Sequence, residues 1–207
     1  LLKLQFEDGR VAHKLTRTSF EAMTLPTEDQ EKRFFTPWGT AATANLAAVA
    51  AQAARVFQPY DAAYAERCRK AAEAAMKAIG RPWEEVRPDL SAFRTGTYMR
   101  AAQSDRLWAL AETWETTGDA RTREALEQQL GGDNFAVDVD WDWGEGKNLG
   151  IYTYLLSKRD RNPKIVAKLR ADLLSAADRI VENHSRHGYG RGLSAYYWGC
   201  NGGVART

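Results

Sequence analysis

Two alanine-rich segments joined by only a few residues set the first constraint on this fold. The stretch "TAATANLAAVAAQAARVF" at 40–57 repeats apolar residues every three to four positions, and "DAAYAERCRKAAEAAMKAIG" at 61–80 does the same. That spacing lines one face of an α-helix. In the first segment Leu46, Val49, Ala50, Ala53 and Phe57 form the predicted stripe, with Thr40 or Thr43 available as N-cap. In the second, Asp61 is the predicted cap, Tyr64, Cys68, Ala72, Ala75 and Ile79 are the stripe, and Gly80 is the stop with Pro82 beyond it. A short link turns the second helix back antiparallel to the first. Alanine at many facing positions would admit a close helix approach, but alanine is also the best helix former, and the sequence does not choose between these readings.

The pattern recurs. "SDRLWALAETWETTG" places Leu107, Trp108, Ala111 and Trp114 on one face, ends at Gly118, and leads into "ARTREALEQQL" before Gly131 and Gly132. A third pair runs from Leu149 to Ser157, with Tyr152 and Leu156 on one face, then from Asn162 to Asn183 with Pro163 at the first helical position. Links within pairs are short, whereas those between pairs, at 80–103, 130–147 and 184–200, are long and rich in Gly and aromatics. In an array of antiparallel hairpins the between-pair loops emerge on one rim. That rim would collect Trp83, Phe93, Tyr98, Phe135, Trp141, Trp143, Tyr189, Tyr196, Tyr197 and Trp198. The N-terminal segment, with Phe6, His13, Phe34, Phe35 and Trp38, should feed the same rim.

Composition narrows the function classes. With 44% hydrophobic and 27% charged residues, a chain of 207 residues can bury a core. Its 29 basic and 27 acidic residues are interspersed, giving a net charge of +2 and no electrostatic footprint for nucleic acid. No stretch reads as a membrane span. Cys68 and Cys200 stand far apart without metal-ligand neighbours; Cys68 reads as a half-buried helix thiol and Cys200 as a small loop residue. Both ends look cut: Leu1, Leu2 and Leu4 resemble the last turn of an apolar helix, and Asn201 resembles the cap of one just beginning.

The densest polar cluster is "VDVDWDWGEGK", in which Asp138, Asp140, Asp142 and Glu145 interleave with Trp141 and Trp143. Carboxylates beside aromatic planes suit sugars, since rings take the apolar C–H face while carboxylates accept hydroxyl protons or act as acid and base. An acidic surface loop with two packed Trp reads equally well. The Asp-x-Asp-x-Asp spacing invites calcium, but an EF-hand fails because Trp143 stands where Gly is needed and Leu149 where the bidentate Glu belongs. There is no Gly-rich phosphate loop, no recognisable nucleophilic triad signature and no His-x-x-x-His pair. Sugar binding survives this elimination best.

Taken in order, "VAHKLT", "TPWGTAATANLAAVAAQAARVFQPYDAAYAERCRKAAEAA", "RTGTY…SDRLWALAETWETTGD", "DWDWGEGKNLG" and "GYG…YYWGCNGGVAR" resemble glycoside hydrolase family 9, over nearly the whole chain. The resemblance implies an all-α fold, part (about half) of an (α/α)6 toroid of antiparallel helical hairpins, with residues 1–207 forming a partial catalytic domain. It implies an inverting β-1,4-glucan hydrolase of cellulase or endoglucanase type, with a non-catalytic carbohydrate-binding helical protein as the alternative. The family's base lies in an Asp-Ala-Gly-Asp-type motif and its acid is a Glu near the C-terminal end. This sequence has no such Asp motif and no Glu after Glu182, so the chain is expected to be inactive alone. By the same resemblance His13, Tyr98, Trp141, Trp143, Trp198 and Asn201 are substrate-binding candidates, with no catalytic residue and no metal ligand assigned. Tyr98 and Asp105 fall in a loop that often carries calcium in relatives, but "YMRAAQSD" lacks most of the expected acidic residues and no cofactor is required. The expected partner is a β-glucan, with no nucleic acid and no membrane, and with self-association through exposed helix faces. The expected location is secreted or periplasmic.

Overall fold

Six helices carry the fold: α1 (Thr40–Phe57), α2 (Ala62–Ile79), α3 (Gln103–Thr117), α4 (Ala120–Leu130), α5 (Lys147–Leu156) and α6 (Pro163–Arg186). The computed structural model describes residues 1–80, 83–132, 135–137, 145–192 and 205. A single 3-10 turn at Leu2–Leu4 and the two-residue strands β1 (Leu15–Thr16) and β2 (Phe34–Phe35) precede α1. The strands pair antiparallel, Leu15 opposite Phe35 and Thr16 opposite Phe34. The chain divides into two units, Leu1–Ala109 and Leu110–Thr207, with the boundary inside α3.

In the first unit α1 and α2 form the predicted hairpin, and alanine serves packing. Ala44, Ala47, Ala48, Ala51, Ala65 and Ala75 are all buried to 1% exposure or less. The predicted stripe of α1 is displaced, however. Val49 and Ala53 are half-buried and Phe57 is 40% exposed, while burial runs through Thr40, Thr43, Ala44, Ala47, Ala48, Ala51 and Ala54 beside Leu46 and Ala50. The largest side chains do not mark the buried face, because close approach selects small ones.

Helix ends follow the predicted chemistry in part. Asp61 caps α2 by accepting the Tyr64 N–H, and Gly80 ends it at φ 64°. Asn162 caps α6 by accepting the Lys164 N–H, with Pro163 at the start. At α1 the expected Thr cap is replaced by Gly39, which makes no side-chain capping bond. Thr40 and Thr43 are instead buried staples: Thr40 Oγ1 accepts the Val86 N–H at 2.8 Å and donates to the Glu84 carbonyl at 3.1 Å. Thr43 Oγ1 accepts the Val11 N–H at 3.1 Å. The helix start thus ties down the 84–86 loop and the N-terminal segment.

In the second unit Leu110, Trp114, Leu126, Leu130, Ile151, Tyr154 and Leu169 make a core with each at 2% exposure or less. The face of α5 differs from the predicted one: Asn148, Gly150, Ile151 and Tyr154 are buried, Tyr152 is half-buried and Leu156 is 82% exposed. "LGIYTYLL" is apolar all round, so its period does not choose a face. Polar bonds do. Thr153 donates to buried Glu112 at 2.6 Å, Ser157 to Glu115 at 2.5 Å, and Tyr154 to Glu127 at 2.8 Å. Cys68 is fully buried at 1% rather than half-buried, and Cys200 lies outside the described residues.

Candidate functional site

His13 and Tyr98 are the two substrate-binding candidates within the described residues; Trp141, Trp143, Trp198 and Asn201 lie outside them, as do Asp138, Asp140 and Asp142. Both described candidates belong to the first unit, and that unit brings them together. The segment around His13 is gripped from two sides. On one side the His13 N–H donates to the Pro37 carbonyl at 3.2 Å, and the Thr36 N–H to the Lys14 carbonyl at 3.0 Å. Buried Thr36 doubles that grip, because its Oγ1 accepts the Lys14 N–H at 3.0 Å and donates to the Lys14 carbonyl at 3.1 Å. Replacing Thr36 by valine keeps the shape but orphans the Lys14 N–H, so a loss of about 1–2 kcal/mol is expected. Urea denaturation of the variant checks this, and an unchanged midpoint would contradict it.

On the other side lies the loop before α3. The Arg94 N–H donates to the Thr18 carbonyl at 2.6 Å, Lys14 Nζ donates to Thr95 Oγ1 at 2.8 Å and to the Gly96 carbonyl at 2.5 Å, and His13 Nε2 meets the Thr97 carbonyl at 2.7 Å. Burial pushes the Lys14 ammonium pKa down from its ordinary value. Tyr98 follows with φ 51°, a left-handed conformation rare outside Gly, Asn and Asp. Its ring folds back over Gly96, where an added Cβ would lie 2.7 Å from the ring, and Lys14 Nζ sits 5.5 Å from the ring centroid. His13 also lines a small crevice with Gly39, Val86, Pro88, Met99 and Arg100.

Several other aromatics predicted for the rim are already engaged, and Tyr196 and Tyr197 lie outside the described residues. The Arg106 guanidinium lies 3.5 Å from the Trp83 ring centroid, and Trp83 packs on the core cluster of Ala44, Ala48 and Ile79. Burial lowers the Arg106 pKa to about 10, leaving it charged at neutral pH. Trp38 carries Arg10 at 5.1 Å. In the second unit Phe135 has Lys147 at 5.5 Å and Lys168 at 5.7 Å. Phe34, Phe35 and Tyr189 remain exposed at 43%, 53% and 89%. Asp105 is buried in the first turn of α3 at 6% exposure. Among the described residues no group of three or more His, Cys, Asp or Glu gathers to hold a metal.

Lys14, Thr36, Thr95 and Thr97 stand inside segments quoted above, but local sequence assigns none of them a role. A threonine carries no motif, and only the pairing of distant segments reveals what it holds.

The sequence model of Glycosyl hydrolase family 9 matches residues 1–207. Endoglucanase D of Acetivibrio thermocellus is 43% identical over 211 residues, covering 100% of this chain and 34% of that protein. A cellodextrinase of Butyrivibrio fibrisolvens is 31% identical, covering 97% of this chain and 39% of its own length. The crystal structure of a metagenome-derived glycoside hydrolase family 9 endoglucanase superposes with a TM-score of 0.86 at 30% identity, over 97% of this chain and 37% of that one. The chain thus spans about a third of the length of these relatives. With the family model matching all 207 residues of the chain and the helical fold shared, the chain belongs to glycosyl hydrolase family 9 and forms part of an (α/α)6 toroid.

Proposed function

We propose that this chain supplies part of the substrate cleft of an inverting β-1,4-glucan hydrolase of endoglucanase type, without the acid–base pair. The observation that carries the reading is the match to the family over all 207 residues, joined to relatives named for endoglucanase and cellodextrinase activity. Supporting it, His13 bonds the Thr97 carbonyl, next in sequence to Tyr98, and the neighbouring Lys14 faces the Tyr98 ring. Inversion needs one carboxyl group to protonate the leaving oxygen and a second, ~6.5–9.5 Å away, to activate water, and it needs no cofactor. His13 would accept or donate one hydrogen bond to a sugar hydroxyl. Trp141, Trp143 and Trp198 would offer ring faces, with Asn201 beside them. Action on a polymer too large to enter the cell fits a secreted or periplasmic location. No described helix is long and apolar enough to cross a membrane.

The test is hydrolysis of carboxymethylcellulose by the protein that carries this chain, beside the 207-residue chain alone. Activity in the first and none in the second is expected. His13→Ala in the active protein should raise KM about five- to tenfold, the worth of one hydrogen bond. Hydrolysis by the isolated chain would overturn the assignment of the acid and base elsewhere and send attention to Asp138, Asp140, Asp142 and Glu145. Glucan binding without hydrolysis by the longer protein would favour a non-catalytic binding protein.

A further inference from the structure

We infer that Lys14 is a positioning residue: its ammonium holds the 95–98 loop against the His13 segment, so that the Thr97 carbonyl fixes His13 as its Nε2–H tautomer. The His13 Nδ1 atom is then the acceptor offered to a ligand. The last step rests on the cleft reading above; the first two do not.

A carbonyl oxygen only accepts hydrogen bonds, so the 2.7 Å contact between His13 Nε2 and the Thr97 carbonyl requires the proton to sit on Nε2. In the neutral ring Nδ1 is then unprotonated, and among the described residues it has no hydrogen-bond partner. A sugar hydroxyl meeting this ring therefore donates to it. That polarity holds only while the Thr97 carbonyl stays where it is. Thr97 is exposed, and one exposed hydrogen bond contributes too little to immobilise a loop.

Lys14 supplies the missing restraint. Its three N–H donors reach two points on the loop, Thr95 Oγ1 at 2.8 Å and the Gly96 carbonyl at 2.5 Å, and the ammonium faces the Tyr98 ring at 5.5 Å. Thr16 Oγ1 adds a bond to Thr95 Oγ1 at 3.1 Å. The residues that Lys14 holds flank Thr97 on both sides. Tyr98 also adopts φ 51°, a conformation that persists in a non-glycine residue only where its surroundings enforce it. Among the described residues the ammonium has no carboxylate partner in an ion pair, so it is directed at neutral acceptors on this loop. A cation half-buried for a surface salt bridge would look different.

The test is a two-bond 1H–15N correlation spectrum of the histidine rings, recorded on the whole protein with 15N-labelled histidine. His13→Ala assigns the His13 signals among those of the other histidines, His184 and His187 included. The wild type is expected to show the Nε2–H pattern. Lys14→Met, which removes the charge at nearly constant length, should shift it to a tautomer mixture, and Lys14→Arg, which keeps the donors, should retain it. Thr95→Val provides a second, milder disruption if Lys14→Met does not melt cooperatively, and it should weaken the Nε2–H signature in the same direction. An Nδ1–H or mixed pattern in the wild type, or an unchanged pattern in folded Lys14→Met or Thr95→Val, overturns the inference. Cellotetraose titration separates the two levels. Lys14→Met should weaken binding about tenfold, whereas no binding by the wild type would sink the cleft reading and leave the tautomer result to decide the role of Lys14.

Discussion

Replacing Gly9 with alanine is expected to lower folding stability by about 3 kcal/mol, the combined cost of backbone strain and overpacking. Gly9 sits at φ 89°, in the left-handed region that L side chains avoid, and it is buried. A Cβ built there would lie 2.7 Å from the Ala74 carbonyl carbon and closer still to its oxygen, in the backbone of α2. A side chain can swing aside, but a helical backbone cannot. The turn is also held from within: the Gly9 N–H donates to the Phe6 carbonyl at 3.0 Å, and Gln5 Nε2 donates both to the Gly9 carbonyl at 3.1 Å and to the Ala71 carbonyl at 2.9 Å. Moving the turn away would therefore break its anchorage on α2. Urea denaturation should show a lower midpoint at an unchanged slope, because the unfolded chain is hardly altered. A loss below about 0.5 kcal/mol, the range of ordinary surface changes, would mean that the turn does not rest on the helix as described.

The same site shows why the fold was more legible than the cleft. Helix pairs announce themselves through period and punctuation, so Asp61, Gly80, Gly118 and Pro163 are each found at the ends they were expected to mark. Burial faces were harder to read. The stripe through Val49 and Phe57 assumed that bulk marks the inside, whereas α1 packs through its alanines, and α5 is apolar on every side. Thr40 looked like a cap because local rules see only its own helix; its actual partners are 44 and 46 residues away. His13 was found through family resemblance, but the grip on it by Thr36, Lys14 and the 95–98 loop depends on segments 22 to 84 residues apart in sequence. No local pattern encodes such meetings.

In the second unit the largest effect is expected from Tyr154→Ala, at about 4 kcal/mol, against about 1–2 kcal/mol for Tyr154→Phe. Tyr154 is fully buried, with its ring 5.5 Å from that of Trp114. Its hydroxyl donates to Glu127 Oε1 at 2.8 Å, and the same carboxylate oxygen accepts the Asn162 N–H at 3.0 Å. That node joins α4, α5 and the entry to α6. Alanine leaves a ring-sized cavity and removes the hydroxyl, whereas phenylalanine removes the hydroxyl alone, so the difference between the two variants isolates the packing contribution. The hydroxyl has its own signature in pH. Burial, and then the Glu127 hydrogen bond, push the Tyr154 phenol well above its ordinary value, so the folded state holds a proton that the unfolded chain releases near pH 10. Stability from this group is fully present below about pH 10 and is lost as the pH rises above it. Urea midpoints taken at about pH 8 and pH 11 should fall more steeply for the wild type than for Tyr154→Phe, which has no phenol to ionise at that position. Equal alkaline losses in the two proteins would show that the Glu127 node does not govern the alkaline limit. A Tyr154→Phe cost as large as that of Tyr154→Ala would assign the stability to the hydroxyl instead of the ring.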